Sequence, residues 1–353
     1  MGATSRAGRP QPPPRLASES MLVSEIPALR DYWYAVAYAD DVADQPIERR
    51  LFGADYVVWR PCPGGPVRAA PNACPHRGAA LSQGWISDGC LVCSYHGWRY
   101  DDSGVCVAIP ASEPGVPIPP RARLAPVLAD ERYGLVWVCV GVPRAPIPLL
   151  PELESPEFTL VHELMEVWQA SAPRITDNAL DVSHVAWVHR DSVGDPSSPR
   201  MSDFTVERDG ERLRFSVTIQ SRVAGQQVAN TGLQGVVSRT TDAELVQPFV
   251  FRGVLEYEYG LRHVLYKTAA PVDDRSTLFC QFVGRNDHPD AERQAGIVAV
   301  DRRVQLEDRR LLEHIDPDFP IDTTTEIHTR SDRMTIEYRR ILADLAAEGA
   351  RPC

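Results

Sequence analysis

The sequence predicts an α+β protein in two parts: an all-β module over residues 28–145, then an antiparallel sheet-and-helix domain over residues 146–353. Three observations carry that expectation. Short β-like runs broken by Gly, Pro and Asp crowd the first part. A stretch with five prolines, VPRAPIPLLPELESP at 142–156, reads as a linker. Beyond it, alternating strand patterns lead into two helical stretches near the end of the chain.

Residues 1–20 (MGATSRAGRPQPPPRLASES) have almost nothing to bury and read as a disordered tail, after which Met21 is an alternative start to Met1. From Leu29 onward, YWYAVAYADDV looks like the entry to the fold. The β-like runs that follow are DYVVWR (55–60), GPVRAA (65–70), CLVC (90–93) and GLVWVCV (134–140), which suit a small antiparallel sheet. In the second part LVHELMEVWQA (160–170) is a strand, and a helix runs from Ile175 to about Val188. DFTVERDGERLRFSVTI (203–219) alternates on both sides of Asp209-Gly210 and reads as a hairpin. Further strands are expected at 254–260, 262–269 and 277–284, and helices at 291–315 and 333–349. The apolar residues of the 291–315 helix follow helical spacing only loosely.

Composition excludes several function classes. The chain has 353 residues, 43% of them apolar and 24% charged, enough for two domains or one large one. Lys and Arg number 37 against 48 Asp and Glu, a formal charge of −11 that offers no basic face for nucleic acid. The longest apolar run, Leu135 to Val142, is far short of the ~20 residues that span a bilayer. The first twenty residues lack the apolar core of a secretion signal, and Arg6 stands where myristoylation wants Ser or Thr, so a cytoplasmic protein is expected. Its eight cysteines then read as reduced thiols and metal ligands rather than disulfides.

Five of those cysteines fall between Cys62 and Cys106. Within that window CPHRGAALSQGWISDGCLVCSYHGW holds Cys74-x-His76 and Cys93-x-x-His96. Two thiolates and two imidazoles, paired on two loops, can clasp a metal centre in two ways. One zinc ion would take all four as a structural staple. A [2Fe–2S] cluster would seat the cysteines on one iron and the histidines on the other. Cys90-x-x-Cys93 would make an ordinary zinc knuckle, whereas Cys-x-His is too tight for one and suits ligands reaching two irons.

A second constellation lies in RITDNALDVSHVAWVH (174–189), where Asn178, Asp181, His184 and His189 sit among apolar residues. Five residues of α-helix rotate by about 140°, so His184 and His189 cannot share a face of a regular helix. Either a π-bulge intervenes or His189 lies just past the helix end. Asp181, three residues before His184, is placed to touch it. Two imidazoles and one carboxylate bind non-haem Fe(II) with positions left open for O₂. The carboxylate must come from elsewhere, and Glu307 and Asp308 are candidates, in a segment whose Leu306, Leu311 and Leu312 suggest an inward face.

CPHRG with CSYHGW resembles the Rieske signature, and N-x-x-D-x-x-H-x-x-x-x-H downstream of it resembles the α-subunits of Rieske non-haem iron oxygenases over residues 28–345. ERYGLVWV (131–138), DNALDVSHVAWVH (177–189) and SDRMTIEYRR (331–340) are similar to the monooxygenase branch that holds dicamba and vanillate demethylases and the hydroxylases that tailor saxitoxin-type alkaloids. The resemblance implies that Cys74, His76, Cys93 and His96 hold the cluster and that Cys90 does not. It implies that Asp308, rather than Glu307, joins His184 and His189 at a mononuclear iron, and that Asp181 bridges a cluster histidine to His184 in a head-to-tail homotrimer, with Asn178 near the iron. It further implies a monooxygenase in which electrons from NAD(P)H, passed through a ferredoxin or reductase, activate O₂ to hydroxylate or demethylate a small cyclic organic substrate. Residues 215–285, with Val185 and Trp187, are expected to line its pocket, and Arg252, Glu256 and Tyr257 face either that pocket or solvent. A ring-hydroxylating dioxygenase, a Rieske electron carrier and a zinc-stabilised binding protein are the alternatives.

Overall fold

The computed structural model describes residues 22–257, 259–316 and 318–349. The tail expected at 1–20, and Met21, lie outside them.

The first part is built from three small antiparallel sheets rather than one. Strands β1 (Tyr34–Tyr38), β2 (Ile47–Leu51), β3 (Ala54–Trp59), β4 (Arg68–Pro71), β5 (Trp85–Ser87), β6 (Cys90–Val92), β7 (Arg99–Tyr100), β8 (Cys106–Ala108), β9 (Leu128–Arg132) and β10 (Leu135–Cys139) pair as β1-β10-β9, β2-β3-β4 and β5-β6-β7-β8. The expected GPVRAA strand begins three residues later, at Arg68, because Gly64 and Gly65 belong to the turn before it. β10 is wholly buried because LVWVC is apolar on both faces and sits between β9 and β1.

The proline-rich segment is not a free linker. Ile147 and Leu150 are buried, and Glu152, on a short 3-10 turn at Pro151–Glu154, is only 5% exposed beneath Arg252, Arg262 and Tyr266. It pins the first part to the sheet behind it.

That sheet has seven antiparallel strands: β11 (Thr159–Trp168), β12 (Ser202–Asp209), β13 (Arg212–Val223), β14 (Gly235–Gln247), β15 (Val250–Glu256), β16 (Arg262–Pro271) and β17 (Thr277–Arg285). β12 to β17 follow one another as a meander, and β11 closes the far edge beside β17. Gly210, at φ +60, makes the tight turn between β12 and β13, where Asp209 pairs with Arg212. β14 was not anticipated, because its first half is mostly exposed and polar.

The helices are α1 (Ala172–Leu180), α2 (Val185–Val188), α3 (Gln226–Thr231), α4 (Ala291–Leu312) and α5 (Arg333–Gly349). The single helix expected over 175–188 is broken. Asp181 ends α1 in an extended conformation, and α2 is a separate single turn. On α4 the buried residues are Ile297, Asp301, Gln305, Asp308 and Leu312, spaced by three or four, so one face points inward and three of its five residues are polar. That explains the loose apolar periodicity. It also corrects the expected inward stripe, since Leu306 and Leu311 are exposed and only Leu312 is buried.

Candidate active site

The two Cys/His loops are near copies of each other. Gly78, at φ +75, donates its N–H to the Cys74 carbonyl (2.8 Å), and Gly97, at φ +68, does the same to Cys93 (2.9 Å). A side chain at either glycine would meet backbone strain in this left-handed conformation. Cys74 N–H and Cys93 N–H are in turn held by the carbonyls of Ala79 and Trp98. The loops therefore present buried thiols at Cys74 and Cys93 and bring the imidazoles towards the surface, with His76 half-buried and His96 exposed. The two rings meet with their Nδ1 atoms 3.1 Å apart, His76 stacks on Trp98, and Tyr100 hydroxyl lies 3.2 Å from Cys74 Sγ.

The donor set fits a two-iron cluster. Among the described residues, the only groups of three such ligand atoms all within 4.8 Å of one another are elsewhere in the chain, so the quartet is too spread for one zinc ion. Two buried sulfurs and two outward nitrogens match the two ends of an asymmetric cluster. Cys90 Sγ points to the Asp88 carbonyl instead.

The second site assembles where α1, α2 and α4 meet. His184 precedes α2 and His189 follows it, past the helix end, so the short turn sets both imidazoles facing one point. His184 Nε2 is 3.4 Å and His189 Nε2 is 3.2 Å from the same oxygen, Asp308 Oδ1. Asp308 is 2% exposed. Each histidine has a second carboxylate behind it: Glu307 accepts from His189 Nδ1 at 3.0 Å, and Asp181 Oδ2 lies 3.5 Å from His184 Nδ1. With their Nδ1 sides turned to those acids, both Nε2 atoms face the same carboxylate oxygen, an arrangement that favours positive charge, a proton or a metal ion, between rings and acid. Burial alone would lower the His184 imidazole, yet hydrogen bonds to Asp181 and Asp308 raise it to about 9. Asp308 is driven the other way, far below the ordinary carboxylate range, because the two imidazoles outweigh its desolvation. In chemical terms, the pocket is tuned for positive charge at its centre.

Close packing fixes the geometry. Gly194 donates to the His189 carbonyl at 2.7 Å, and a Cβ there would stand 2.3 Å from Val185 O. Asn178 Nδ2 donates to Asp308 Oδ1 at 3.4 Å. Asp181 Oδ1 accepts from the N–H and hydroxyl of Ser183, both at 2.7 Å, and so reaches His184 across the break after α1 rather than along a helix turn.

A cavity of about 120 Å³ opens beside these groups, close in size to the ~150 Å³ cavities that admit a benzene ring. Val182, Val185, Phe215, Phe251 and Leu255 give it an apolar wall, while Lys267, Gln281, Asp301 and Gln305 line a polar one. Tyr257 lines it as well. Trp187 does not, being 56% exposed, and Arg252 turns to Glu152 while Glu256 faces solvent. Sequence reasoning missed Glu307's place behind His189, and the polar set at 267, 281, 301 and 305. Only the three-and-four spacing of 301, 305 and 308 on one helix could have signalled part of it.

Residues 32–127 match the Rieske [2Fe-2S] domain, and residues 168–348 match the vanillate O-demethylase oxygenase C-terminal domain. The chain belongs to the Rieske non-haem iron oxygenases. This oxygenase is 28% identical over 337 residues to methylxanthine N1-demethylase NdmA of Pseudomonas putida, covering 93% of this chain and 92% of that protein. Vanillate O-demethylase oxygenase subunit of Pseudomonas sp. (strain HR199 / DSM 7063) is 32% identical across 50% of this chain and 51% of its own. The structure of Pseudomonas putida CBB5 NdmA with caffeine superimposes with a TM-score of 0.80 at 28% identity, over 92% of this chain and 93% of that one. Dicamba monooxygenase bound to dicamba, at 21% identity and a TM-score of 0.79 over 92% of this chain and 99% of that one, shares the fold. Such relatives are monooxygenase α-subunits, and the oxygenase's Rieske domain carries a [2Fe–2S] cluster. Among its described residues no helix is long and apolar enough to cross a membrane.

Proposed function

We propose that the chain is a monooxygenase α-subunit that hydroxylates, or oxidatively demethylates, a small cyclic organic substrate held in the 120 Å³ cavity. The observation that carries this reading is the convergence of His184, His189 and Asp308 on one point at the cavity wall. In it, residues 28–145 form the cluster domain, with Cys74, His76, Cys93 and His96 as ligands, and residues 146–353 the catalytic domain. His184, His189 and Asp308 hold a mononuclear Fe(II), a three-ligand set that leaves positions free. Bound there, the iron supplies O₂ activation with electrons delivered one at a time from the cluster.

The protein's own contribution is placement. Glu307 fixes the ring of His189, and Asp181 that of His184, each by its Nδ1 side. Asn178 steadies Asp308 through its amide. The apolar wall of Phe215, Phe251 and Leu255 seats a ring and keeps water away from it.

Electrons come from NAD(P)H through a separate ferredoxin or reductase, and a head-to-tail homotrimer brings one copy's cluster histidines to the next copy's Asp181. Exposed aromatics on both faces support such an assembly: Tyr95 beside His96 on one, Trp187 beside His184 on the other. None of the seven described cysteines is in a disulfide, which suits a reducing, cytoplasmic setting. The names of the relatives, N- and O-demethylases among them, favour monooxygenation over dioxygenation. The test is turnover of ring compounds bearing N- or O-methyl groups, with a reductase and ¹⁸O₂. One labelled oxygen atom per product hydroxyl is expected, or in formaldehyde reduced to methanol before it exchanges with water, and two in one product would indicate a dioxygenase instead.

A further inference from the structure

α4 turns a second, unassigned set of ionisable groups towards the cavity. Asp301 stands two turns before Asp308, and its carboxylate, Glu163 on β11 and His263 on β16 offer atoms that all lie within 4.8 Å of one another. Asp301 and His263 line the cavity, and Glu163 lies behind them. Such a group suits either a cation or a shared proton.

His263 decides between them. Its Nδ1 lies 3.0 Å from Arg285 Nη1, and a guanidinium has only hydrogens to offer, so Nδ1 must be the accepting nitrogen. Arg285 cannot turn away, since Asp287 grips it with both oxygens and Nη2 donates to the Asn230 carbonyl. The ring hydrogen therefore sits on Nε2, 3.1 Å from Asp301 Oδ2. A metal would need the Nε2 lone pair, and this tautomer has none there.

The carboxyls point the same way. Glu163 is 5% and Asp301 9% exposed, and Glu163 Oε1 is buried without an ordinary hydrogen-bond partner, while Asp301 Oδ2 faces His263 Nε2 at 3.1 Å. Two buried carboxylates in contact cannot both stay ionised. Gln281 Nε2 donates to the other Glu163 oxygen, Oε2, at 2.7 Å, which marks Oε2 as the carbonyl oxygen and leaves the hydroxyl on Oε1. One hydrogen between Oε1 and Asp301 then satisfies the orphaned Glu163 oxygen. Burial pushes Glu163 well above the ordinary range, with Asp301's charge adding to it; Asp301 stays low despite burial because His263 is beside it. Lys267 faces both acids, Arg285 acts on Asp301, Cys280 and Tyr38 lie near Glu163, and Arg302 donates to the Glu163 backbone carbonyl.

We propose that Glu163 and Asp301 hold one proton between them and form a general-acid site in the cavity wall, releasing that proton into the cavity through Asp301 during turnover. The proposal rests on the cavity being the oxygenase active site. Monooxygenation of R–H consumes O₂, two electrons and two protons and yields R–OH and water. The Glu163 O–H bond breaks, and the proton ends in a new O–H bond of that water. The second proton comes from solvent. The doubly ionised pair this leaves is a transient that burial disfavours, and a proton drawn from solvent restores it.

Glu163→Gln tests this in the iron-loaded enzyme. The amide keeps the bond from Gln281 and offers an N–H to Asp301, but it has no proton to transfer. Infrared spectra of the resting wild-type enzyme at pH 7 should contain the C=O stretch of a buried carboxylic acid that E163Q lacks and that D301N shifts. The rate of product formation should fall about a hundredfold or more in E163Q, the usual scale of general-acid loss, with less product per O₂ consumed, hydrogen peroxide appearing instead and iron content unchanged. E163D should restore much of the coupling. The absence of any protonated-acid band sensitive to these changes, fully coupled turnover in E163Q, or an additional metal ion lost in E163Q would each overturn the proposal. A protein without mononuclear iron would instead defeat the oxygenase reading, whatever the infrared band shows.

Discussion

Removing Glu307 should weaken iron binding without touching the cluster. Its Oε2 accepts both His189 Nδ1–H at 3.0 Å and the Ser192 hydroxyl at 2.6 Å, and its side chain is 13% exposed, so water does not readily replace it. A charge-assisted hydrogen bond in such a setting contributes about 1.5–3 kcal/mol. Losing the carboxylate that orients a ligating histidine typically costs ~10–100-fold in metal affinity, or roughly 1.4–2.7 kcal/mol. The two estimates agree, and E307A should raise the Fe(II) dissociation constant by one to two orders of magnitude. E307Q, which retains one accepting oxygen, should fall nearer the smaller loss. The assay is anaerobic Fe(II) titration of chelator-treated protein, with the cluster's visible absorption as an internal control. Unchanged affinity in E307A would refute the reasoning, and so would a parallel loss of the cluster, which would point to global damage.

Asp181→Asn should leave both metals bound and nearly abolish turnover, because the amide cannot reproduce the carboxylate behind His184; full activity would contradict the bridge. Gly194→Ala should lower stability by about 1–3 kcal/mol and reduce iron occupancy, since its Cβ would meet backbone atoms of Val185 and His189 rather than a side chain that can move; equal melting temperature and iron content would count against that packing. Glu152→Ala should destabilise the chain by about 3 kcal/mol in urea unfolding, because it strands Arg252 and frees Tyr266. Burial works to raise the Glu152 carboxyl, but Arg252 and Tyr266 outweigh it and hold it below the ordinary value. Its stabilisation is therefore complete above the ordinary glutamate range and fades as pH falls through the folded-state value, so the gap between wild type and E152A should narrow in acid.

The parts of this protein that were legible in its sequence are those where chemistry fixes spacing. A cluster clasped by two short loops demands its ligands two and three residues apart, and the loop glycines follow from the tight turn. The hairpin at Asp209-Gly210 was readable for the same local reason. Where the fold departs from local rules, the sequence misled. Glu307 and Asp308 are neighbours on α4, and periodicity alone cannot say that one completes the metal site and the other stands behind His189. The inner face of α4 is polar because it lines a cavity, which erased its apolar signal and made Leu306 and Leu311 look buried. Glu163, His263 and Asp301 come from three elements separated by more than a hundred residues at the widest, so only the folded sheet brings them together. The proline-rich segment hid its role likewise, since nothing local reveals that Glu152 meets two arginines of the distant sheet.

The most direct test is iron counted per chain, by elemental analysis, in wild type and in Asp308→Ala. Two irons in the cluster and one at His184, His189 and Asp308 give three in wild type, and D308A should keep two with the red-brown cluster absorption intact. An unchanged count in D308A, or a wild-type protein with only two irons, would contradict the account.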